Sequence, residues 1–269
     1  MRRGIKSAVF ELTYKCNLNC AFCYCAWHDH PEAFGDEIRA NEWEDICDRC
    51  IRAGVSSFTI TGGEPVLYDG AAQIVRRLVS NRCVNECELY TNLRIVPDWI
   101  MDVNDACRFR VTTSLQGIYN RASVIGDSWS FDAWRKNCRR LIDSGVRIGV
   151  AITVTKQNLN DLEQMIHLVD DLGISRIWVN TMVIEGRGVR HPELWLTADS
   201  IYMVYERARL MQRQVAAEIL LPGEYYCSCR PDGIVPEGFD RAGRNRCAIE
   251  QEMLVIGPDG RRRKCMHVW

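Results

Sequence analysis

The sequence predicts an α/β protein, a partial (β/α)6 barrel with parallel strands, followed by a small C-terminal cysteine-containing extension with a β-hairpin. Two observations support this fold: β-branched runs alternate with amphipathic segments, and near the C-terminus LVIGPDG is typical of a hairpin around an Asp-Gly turn. A third is the length of 269 residues with 47% hydrophobic content, which allows one large domain plus an appendage. We expect a core domain at 1–215 and the extension at 216–269.

Six short runs rich in β-branched and aromatic residues predict strands. They are SAVFELT (7–13), SSFTIT (56–61), ECELYT (86–91), FRVTTSL (109–115), RIGVAITVT (147–155) and SRIWVN (175–180). Four amphipathic segments, at 41–54, 69–80, 130–145 and 158–173, predict helices; Asn41 and Ser130 are the expected caps of two of them. Alternating strands and helices predict a parallel sheet, with a ligand site where the strands end.

The composition restricts the cellular context. The first residues, MRRGIKSAVFELTYKC, lack an apolar run of secretory length, so we expect a cytoplasmic protein. Because disulfides do not persist in a reducing cytosol, closely spaced cysteines among the 14 present indicate metal or redox chemistry. A net charge of -1 and the lack of a membrane-length apolar stretch indicate neither a nucleic-acid nor a membrane partner.

A cysteine triplet follows the first predicted strand. Cys16, Cys20 and Cys23 have C-x3-C-x2-C spacing. Three thiolates on one loop can bind three irons of a 4Fe–4S cluster and leave the fourth iron open for a substrate or cofactor. Zinc is the alternative, although no second C-x2-C follows nearby. Cys25 falls outside the spacing and is interpreted as a bystander or a weaker alternative ligand.

Together with Phe22 before the last cysteine, the triplet is similar to the signature of the radical AdoMet (radical SAM) superfamily. TGGEP (61–65), after the second strand, resembles the Gly-Gly-Glu-Pro motif with which that family binds the methionine amino group of AdoMet. The resemblance assigns cofactor binding to Thr61, Gly62, Gly63, Glu64 and Pro65. Glycines let a backbone approach a ligand closely, so a side chain at Gly63 is expected to weaken AdoMet binding more than iron loading.

Further similarities lie at later strand ends. YTN (90–92), with Asn92, and TSLQG (113–117), with Ser114 as the candidate ribose contact, resemble the third and fourth strand ends of the family. The family more often has an acidic residue where Gln116 stands. Arg121 resembles an arginine that pairs with the AdoMet carboxylate, and a solvated surface arginine fits it equally. VTKQN and VIEGRG (183–188) are also similar, although their glycines can simply mark turns.

The resemblance implies a mechanism. A reduced 4Fe–4S cluster cleaves S-adenosyl-L-methionine to a 5'-deoxyadenosyl radical, which abstracts a substrate hydrogen. This chemistry requires an electron donor such as flavodoxin or ferredoxin. The sequence identifies no catalytic acid or base.

The C-terminal region resembles the opening half of a SPASM or Twitch extension. Cys247, twelve residues, Gly260, four residues and Cys265 follow its pattern, which implies an auxiliary iron–sulfur cluster held by Cys247 and Cys265. A full SPASM motif continues past the second cysteine, whereas this chain stops four residues later. Truncation is one explanation; completion by Cys227, Cys229 or His267 is another, and a hairpin with incidental cysteines is a third. The remaining cysteines are expected in the core, namely Cys47, Cys50, Cys83, Cys87, Cys107 and Cys138.

These resemblances predict a radical AdoMet enzyme of the SPASM/Twitch type that crosslinks, epimerises or oxidises a peptide or protein. The alternatives are a radical AdoMet enzyme acting on a small sugar or cofactor precursor, and a non-catalytic iron–sulfur or zinc protein. TGGEP disfavours the second alternative, because a structural site needs no AdoMet pocket. Since the triplet begins at residue 16, we expect no N-terminal leader-binding module. If the substrate is a peptide with a leader, a separate protein, the C-terminal tail or the open edge of the barrel must recognise it.

Overall fold

Nine strands form one sheet in the computed structural model, which describes residues 5–25, 27, 32, 34–103, 107–118, 129–221 and 253–263. The strands are β1 (Ser7–Glu11), β2 (Ser57–Thr61), β3 (Glu86–Thr91), β4 (Phe109–Ser114), β5 (Ile148–Val154), β6 (Arg176–Thr181), β7 (Glu218–Leu220), β8 (Met253–Ile256) and β9 (Arg262–Arg263). The first six confirm the predicted strands.

The strand order is β7-β6-β5-β4-β3-β2-β1-β8-β9. Strands β1 to β7 pair in sequence and in parallel, which confirms the predicted α/β fold. The predicted C-terminal hairpin is present as β8 and β9, which pair antiparallel. Its first strand also pairs in parallel with β1, a long-range contact that local patterns do not predict.

Within the described part of the chain, six α-helices lie between or after the strands: α1 (Ala40–Arg52), α2 (Ala71–Ser80), α3 (Trp99–Asp102), α4 (Phe131–Asp143), α5 (Leu162–Asp171) and α6 (Ala198–Met211). The four predicted helices are confirmed. The predicted cap Asn41 is wrong, because α1 begins one residue earlier and the Glu42 carboxylate accepts the Arg39 N–H at 3.0 Å. Ser130 caps α4 as predicted, its hydroxyl accepting the Ala133 N–H at 3.3 Å.

The two faces of the sheet differ in polarity. Alternate residues such as Leu89 and Val111 are fully buried in the main hydrophobic core. Their neighbours Glu88, Arg110 and Thr112 point to the opposite face, where Thr112 Oγ1 donates to Glu88 Oε1 at 2.5 Å. Parallel sheets are usually apolar on both faces. This polar face therefore suits a polar ligand at the centre of the fold.

The described part of the predicted extension is continuous with the core sheet. Strand β7 pairs with β6, and β8 pairs with β1. Residues 222–252 and 264–269 lie outside the described part of the chain, so the division at residue 215 remains a prediction. Within the described segments, none of the helices is both long and apolar enough to cross a membrane.

Candidate active site

The cysteine triplet lies on the loop that follows β1. The thiols of Cys16, Cys20 and Cys23 are partly buried, and the Cys23 N–H donates to the Cys20 carbonyl at 3.2 Å. In the described segments, no three Cys, His, Asp or Glu side chains are grouped so that they could hold one metal ion. A 4Fe–4S cluster places each thiolate on a different iron, so its cysteines need not converge on a single ion.

The electrostatics of this loop favour neutral thiols until a metal binds. Burial raises the pKa of Cys20 well above its usual range, and the neighbouring thiols of Cys23 and Cys16 raise it further. The Arg187 guanidinium opposes both effects. Burial likewise raises the pKa of Cys16. Because the thiolate is the metal ligand, iron binding would have to displace these protons.

TGGEP continues the pairing of β1 with β2 beyond both strands. The Gly63 N–H donates to the Thr13 carbonyl and the Glu64 N–H to the Lys15 carbonyl, both at 2.7 Å. A Cβ on Gly63 would lie 2.2 Å from the Lys15 carbonyl oxygen, and Gly62 has a φ of +134°. The glycines thus permit close approach to the cysteine loop itself. The sequence instead suggested approach to a ligand.

Glu64 ties three loops together. Its buried carboxylate accepts the Asn92 N–H at 2.8 Å and the Val66 N–H at 3.4 Å. The Asn92 side chain in turn donates to Asn17 Oδ1 in the cysteine loop at 2.7 Å. Burial raises the pKa of Glu64 to about 7, and the hydrogen bonds from Asn92, Thr91 and Val66 oppose that rise. Glu64 thus orients the protein side of the site.

The remaining described candidates lie around this edge. Pro65 is buried at the start of a short 3-10 helix, Pro65–Leu67. Phe22 packs against the apolar side chains of Met182 and Leu194. Ser114 is half-buried at the end of β4. Thr61, the last residue of β2, is also half-buried, and its carbonyl accepts the Leu12 N–H at 2.9 Å.

The fourth and fifth strand ends are joined by Asn158, from the VTKQN stretch. Its side-chain amide donates to the carbonyls of Gln116 and Thr153 at 2.9 and 3.0 Å. Its oxygen accepts the Thr155 N–H at 2.7 Å. This hydrogen bonding gives Asn158 a role in holding the two strand ends together.

The loop after β6 also contacts the cysteine loop. A Cβ on Gly186 would lie 2.6 Å from the Cys23 carbonyl oxygen, and the Arg187 N–H donates to that oxygen at 2.9 Å. Gly186 has a φ of +51°, which favours glycine. The sequence offered VIEGRG only as a weak similarity or a turn. In the structure, the VIEGRG segment packs against the cysteine loop and lines one side of the candidate site.

Sequence reasoning missed Glu37. Its carboxylate accepts the Thr13 hydroxyl at 2.7 Å and the Tyr14 N–H at 2.8 Å, which fixes the start of the cysteine loop. No motif surrounds Glu37, so the only available signal was an acidic residue in a polar stretch. Cys25, interpreted as a bystander or weak ligand, is buried, and its thiol lies 3.9 Å from the Gly62 carbonyl oxygen.

The other cysteines divide into two groups. Cys47, Cys50, Cys87 and Cys138 are buried as expected, whereas the prediction was wrong for Cys83 and Cys107, which are exposed. Several candidates lie outside the described residues, namely Arg121, Cys227, Cys229, Cys247, Cys265 and His267.

The residues present fit a 4Fe–4S cluster with a polar cofactor beside it. Three buried polar atoms on loops at the site, Asn17 Nδ2, Gln116 Oε1 and Arg187 Nη1, have no hydrogen-bond partner among the described residues. Buried polar atoms normally have partners, so such atoms beside a cysteine triplet suit a polar ligand. The fold and the site therefore fit an iron–sulfur protein with a candidate cluster site at the carboxyl edge of a parallel sheet.

Comparison with known proteins identifies the family. The sequence profile of the Radical SAM superfamily matches residues 10–169, more than half of the chain. The chain belongs to the radical SAM superfamily. This family uses a 4Fe–4S cluster and AdoMet, which are the predicted cofactors.

Individual relatives span both peptide and small-molecule chemistry. The chain is 26% identical over 265 residues to the subtilosin biosynthesis protein AlbA of Bacillus subtilis, covering 96% of this chain and 54% of AlbA. It is 23% identical over 269 residues to a GTP 3',8-cyclase of Peptoclostridium acidaminophilum, covering 98% of this chain and 81% of the cyclase. The chain spans about half the length of the first curated relatives it matches.

Among solved structures, Streptococcus suis SuiB bound to its precursor peptide SuiA superimposes with a TM-score of 0.76 at 16% identity. The match covers 98% of this chain and 60% of SuiB. This likeness confirms the predicted fold class.

Proposed function

We propose that this chain is a radical SAM enzyme of the SPASM/Twitch type that modifies a peptide or protein by crosslinking, epimerisation or oxidation. The observation that carries the proposal is the match to AlbA, a bacteriocin biosynthesis protein, over 96% of this chain. The match to SuiB, solved with a precursor peptide, supports it. Family membership favours an enzyme over the non-catalytic alternative.

In this proposal Cys16, Cys20 and Cys23 hold the cluster, which together with AdoMet supplies hydrogen-atom abstraction. The chain itself would position the cluster and AdoMet and exclude water from the site. The Glu64 carboxylate fixes the end of β3 against TGGEP, and Arg187 lies against the Cys23 carbonyl. Asn92, Ser114 and Arg121 remain the proposed AdoMet contacts.

The proposal includes a low-potential electron donor such as flavodoxin or ferredoxin and a cytoplasmic location. Reductive cleavage of AdoMet needs a cluster at the low end of the known range of potentials. The reducing cytosol would keep the cysteines available as ligands.

The second candidate is a radical SAM enzyme for a small molecule. The GTP 3',8-cyclase match favours it, because it covers 98% of this chain and a larger share of the relative than the AlbA match does. The two candidates differ in the substrate from which the hydrogen atom is abstracted, so a direct assay separates them.

The test uses anaerobically reconstituted, reduced protein with AdoMet. One reaction receives a synthetic peptide with the sequence of any short reading frame beside the gene, and another receives GTP. We expect the peptide to stimulate formation of 5'-deoxyadenosine and to lose two hydrogen atoms, or to take up one deuterium from heavy water if it is epimerised. Stimulation by GTP with an unchanged peptide would overturn the proposal, and the Cys16/Cys20/Cys23 triple alanine variant is the control.

A further inference from the structure

The C-terminal hairpin is built onto the stem of the cysteine loop. Strand β8 pairs with β1 so that Phe10 lies beside Ile256, and the Ile38 N–H donates to the Pro258 carbonyl at 2.8 Å. The hairpin turn also packs on α1 and on the segment before it, because a Cβ on Gly260 would lie 3.8 Å from the Ile46 side chain and 3.1 Å from that of Ile38. The hairpin is thus part of the structure that surrounds the site.

One side chain crosses from the hairpin to β1. Arg263, on β9, reaches Glu11 at the end of β1, with 3.3 Å between Arg263 Nη1 and Glu11 Oε2. The two side chains are only 8% and 0% exposed. Gly257 leaves the space for this crossing, because a Cβ there would lie 2.4 Å from the Arg263 guanidinium. The Arg263 side chain can reach Glu11 only because residue 257 is a glycine, so the contact depends on the local sequence of the hairpin.

The same guanidinium lies over the rings of Trp27 and Phe34, and Tyr14 packs against both of these rings. The three aromatic residues are here named the aromatic cage. Arg263 Cζ lies 5.1 Å from the centroid of Phe34 and 5.8 Å from that of Trp27. The Tyr14 ring contacts both of these rings, at 5.6 and 5.5 Å between centroids. Cations within about 6 Å of an aromatic centroid are attracted to the ring face.

Residues of the aromatic cage lie on both sides of the cysteine loop in the sequence. Tyr14 precedes Cys16 by two residues, and Trp27 follows Cys23 by four. Trp27 Nε1 also donates to the Tyr14 carbonyl at 3.1 Å, which closes the base of the loop. Arg263 contacts Glu11 before the loop and Trp27 after it, so its guanidinium links the two ends of the loop.

We propose that Arg263 is a positioning residue that clamps the base of the cysteine loop, so that the C-terminal hairpin controls how firmly the first cluster is retained. Arg263 touches neither the cysteines nor AdoMet in this proposal. It acts through Glu11 and the aromatic cage. The inference rests on a cluster at Cys16, Cys20 and Cys23, and it does not depend on which substrate the enzyme modifies.

The test measures iron release from the anaerobically reconstituted full chain into a chelator. Arg263→Met should release iron about tenfold faster than the unmodified chain, because the cation–π contacts and the ion contact are both lost. Arg262→Met, a change at the exposed neighbour on the same strand, is the matched control and should release iron at the unmodified rate. Arg263→Lys keeps a cation in the cage and should give a rate between the two.

A double variant separates positioning from simple stability. Arg263→Met alone leaves the buried Glu11 carboxylate without its cation, so it lowers the unfolding temperature of the metal-free chain. In Glu11→Gln/Arg263→Met that temperature should recover, because no buried charge is left, while iron release stays fast. The EPR signal of the reduced cluster should also broaden in both variants. Equal release from Arg263→Met and Arg262→Met, or recovery of slow release in the double variant, would overturn the proposal.

Discussion

Gly63 shows how a single missing side chain fixes the geometry of the site. Its φ is unexceptional, but a Cβ there would lie 2.2 Å from the Lys15 carbonyl oxygen. We expect Gly63→Ala to displace the cysteine loop and to lower iron loading and AdoMet binding together. The sequence alone suggested a selective loss of AdoMet binding. Anaerobic iron analysis and AdoMet titration measure the two effects.

Gly145→Ala is the control for Gly63. Gly145 ends the α4 segment with a φ of +78°, and nothing lies within 4 Å of a Cβ placed there. This change should cost about 1 kcal/mol of stability through backbone strain and leave iron loading unchanged. If Gly63→Ala loses AdoMet binding but loads iron fully, the contact with Lys15 is not what the glycine serves.

Glu64 should make the stability of the metal-free chain depend on pH. Burial raises its folded pKa from 4.5 to about 7, so the folded state holds a proton that the unfolded state has released between these values. Its contribution is fully present below pH 4.5 and is lost as the pH rises through 7, a change of about 3 kcal/mol. Burial raises the pKa of Glu11 to about 7 as well, in the same direction.

Glu64→Gln should therefore reduce the fall in the free energy of unfolding between pH 4.5 and 7 by about 3 kcal/mol. Gln cannot accept both the Asn92 and Val66 N–H groups, so the variant should also be less stable at low pH by about 1 kcal/mol. Urea unfolding of the metal-free chain across this range measures both effects. An unchanged slope would mean that Glu64 stays ionised when buried.

Cys25 tests which cysteines belong to the cluster. Its thiol is buried and lies 3.9 Å from the Gly62 carbonyl oxygen, so we interpret it as packing under TGGEP. Cys25→Ala should cost about 1 kcal/mol of stability and leave iron content and AdoMet cleavage near the unmodified values. Cys138→Ala, at another buried cysteine, is the matched control. Loss of the cluster from Cys25→Ala alone would place Cys25 among the ligands.

At the scale of elements, the sequence pattern predicted the strands and helices whose formation depends on neighbouring residues. The six β-branched runs became β1 to β6, because a strand with buried apolar residues carries its signal in its own sequence. Helix α6 was not predicted. Its apolar residues are distributed around the helix, and Tyr202, Met203 and Leu210 are exposed, which obscures the 3.6-residue period.

Long-range contacts explain the rest of what the sequence did not reveal. The pairing of β8 with β1 joins segments more than 240 residues apart, and no local pattern encodes it. The cysteine triplet and TGGEP were predictable because each is a compact motif. Glu37, Gly186 and Arg263 contribute single residues to the site, and only the fold brings them to the cysteine loop.

The cysteine loop is the element on which the cofactor assignment depends. Its neighbours hold it through backbone contacts at Thr13, Lys15 and Cys23, none of which needs a thiol. The triple variant with alanine at Cys16, Cys20 and Cys23 should therefore keep its circular dichroism spectrum and unfold cooperatively, while AdoMet cleavage is abolished. Cleavage that survives in this variant would contradict the assignment of the cluster to these cysteines.

At the scale of the whole molecule, the sheet connects the two ends of the chain. Strand β1 leads into the cysteine loop and is flanked by β2 on one side and β8 on the other. Because β8 covers the edge of β1, the C-terminal hairpin directly contacts the strand that leads into the cysteine loop. The predicted ligand Cys265 follows Arg263 by two residues in the sequence.

The auxiliary cluster can be tested against the same triple variant. If Cys247 and Cys265 hold iron, the triple variant should retain iron after anaerobic reconstitution, and that iron should fall when Cys247 and Cys265 are also replaced by alanine. Iron and sulfide analysis of both variants measures the difference. Replacement of the exposed cysteines Cys83 and Cys107 in the triple variant is the control for adventitious iron and should change nothing.

The tail cysteines should also separate AdoMet cleavage from substrate modification. With the first cluster intact, Cys247→Ala/Cys265→Ala should still form 5'-deoxyadenosine without substrate, because the first cluster alone delivers that electron. Modification of the substrate should fail, since an auxiliary cluster would act after AdoMet cleavage. A triple variant that holds no iron would contradict the auxiliary cluster in this chain. Full substrate modification by the tail variant would show that the C-terminal segment contributes its hairpin, and not a cluster, to the reaction.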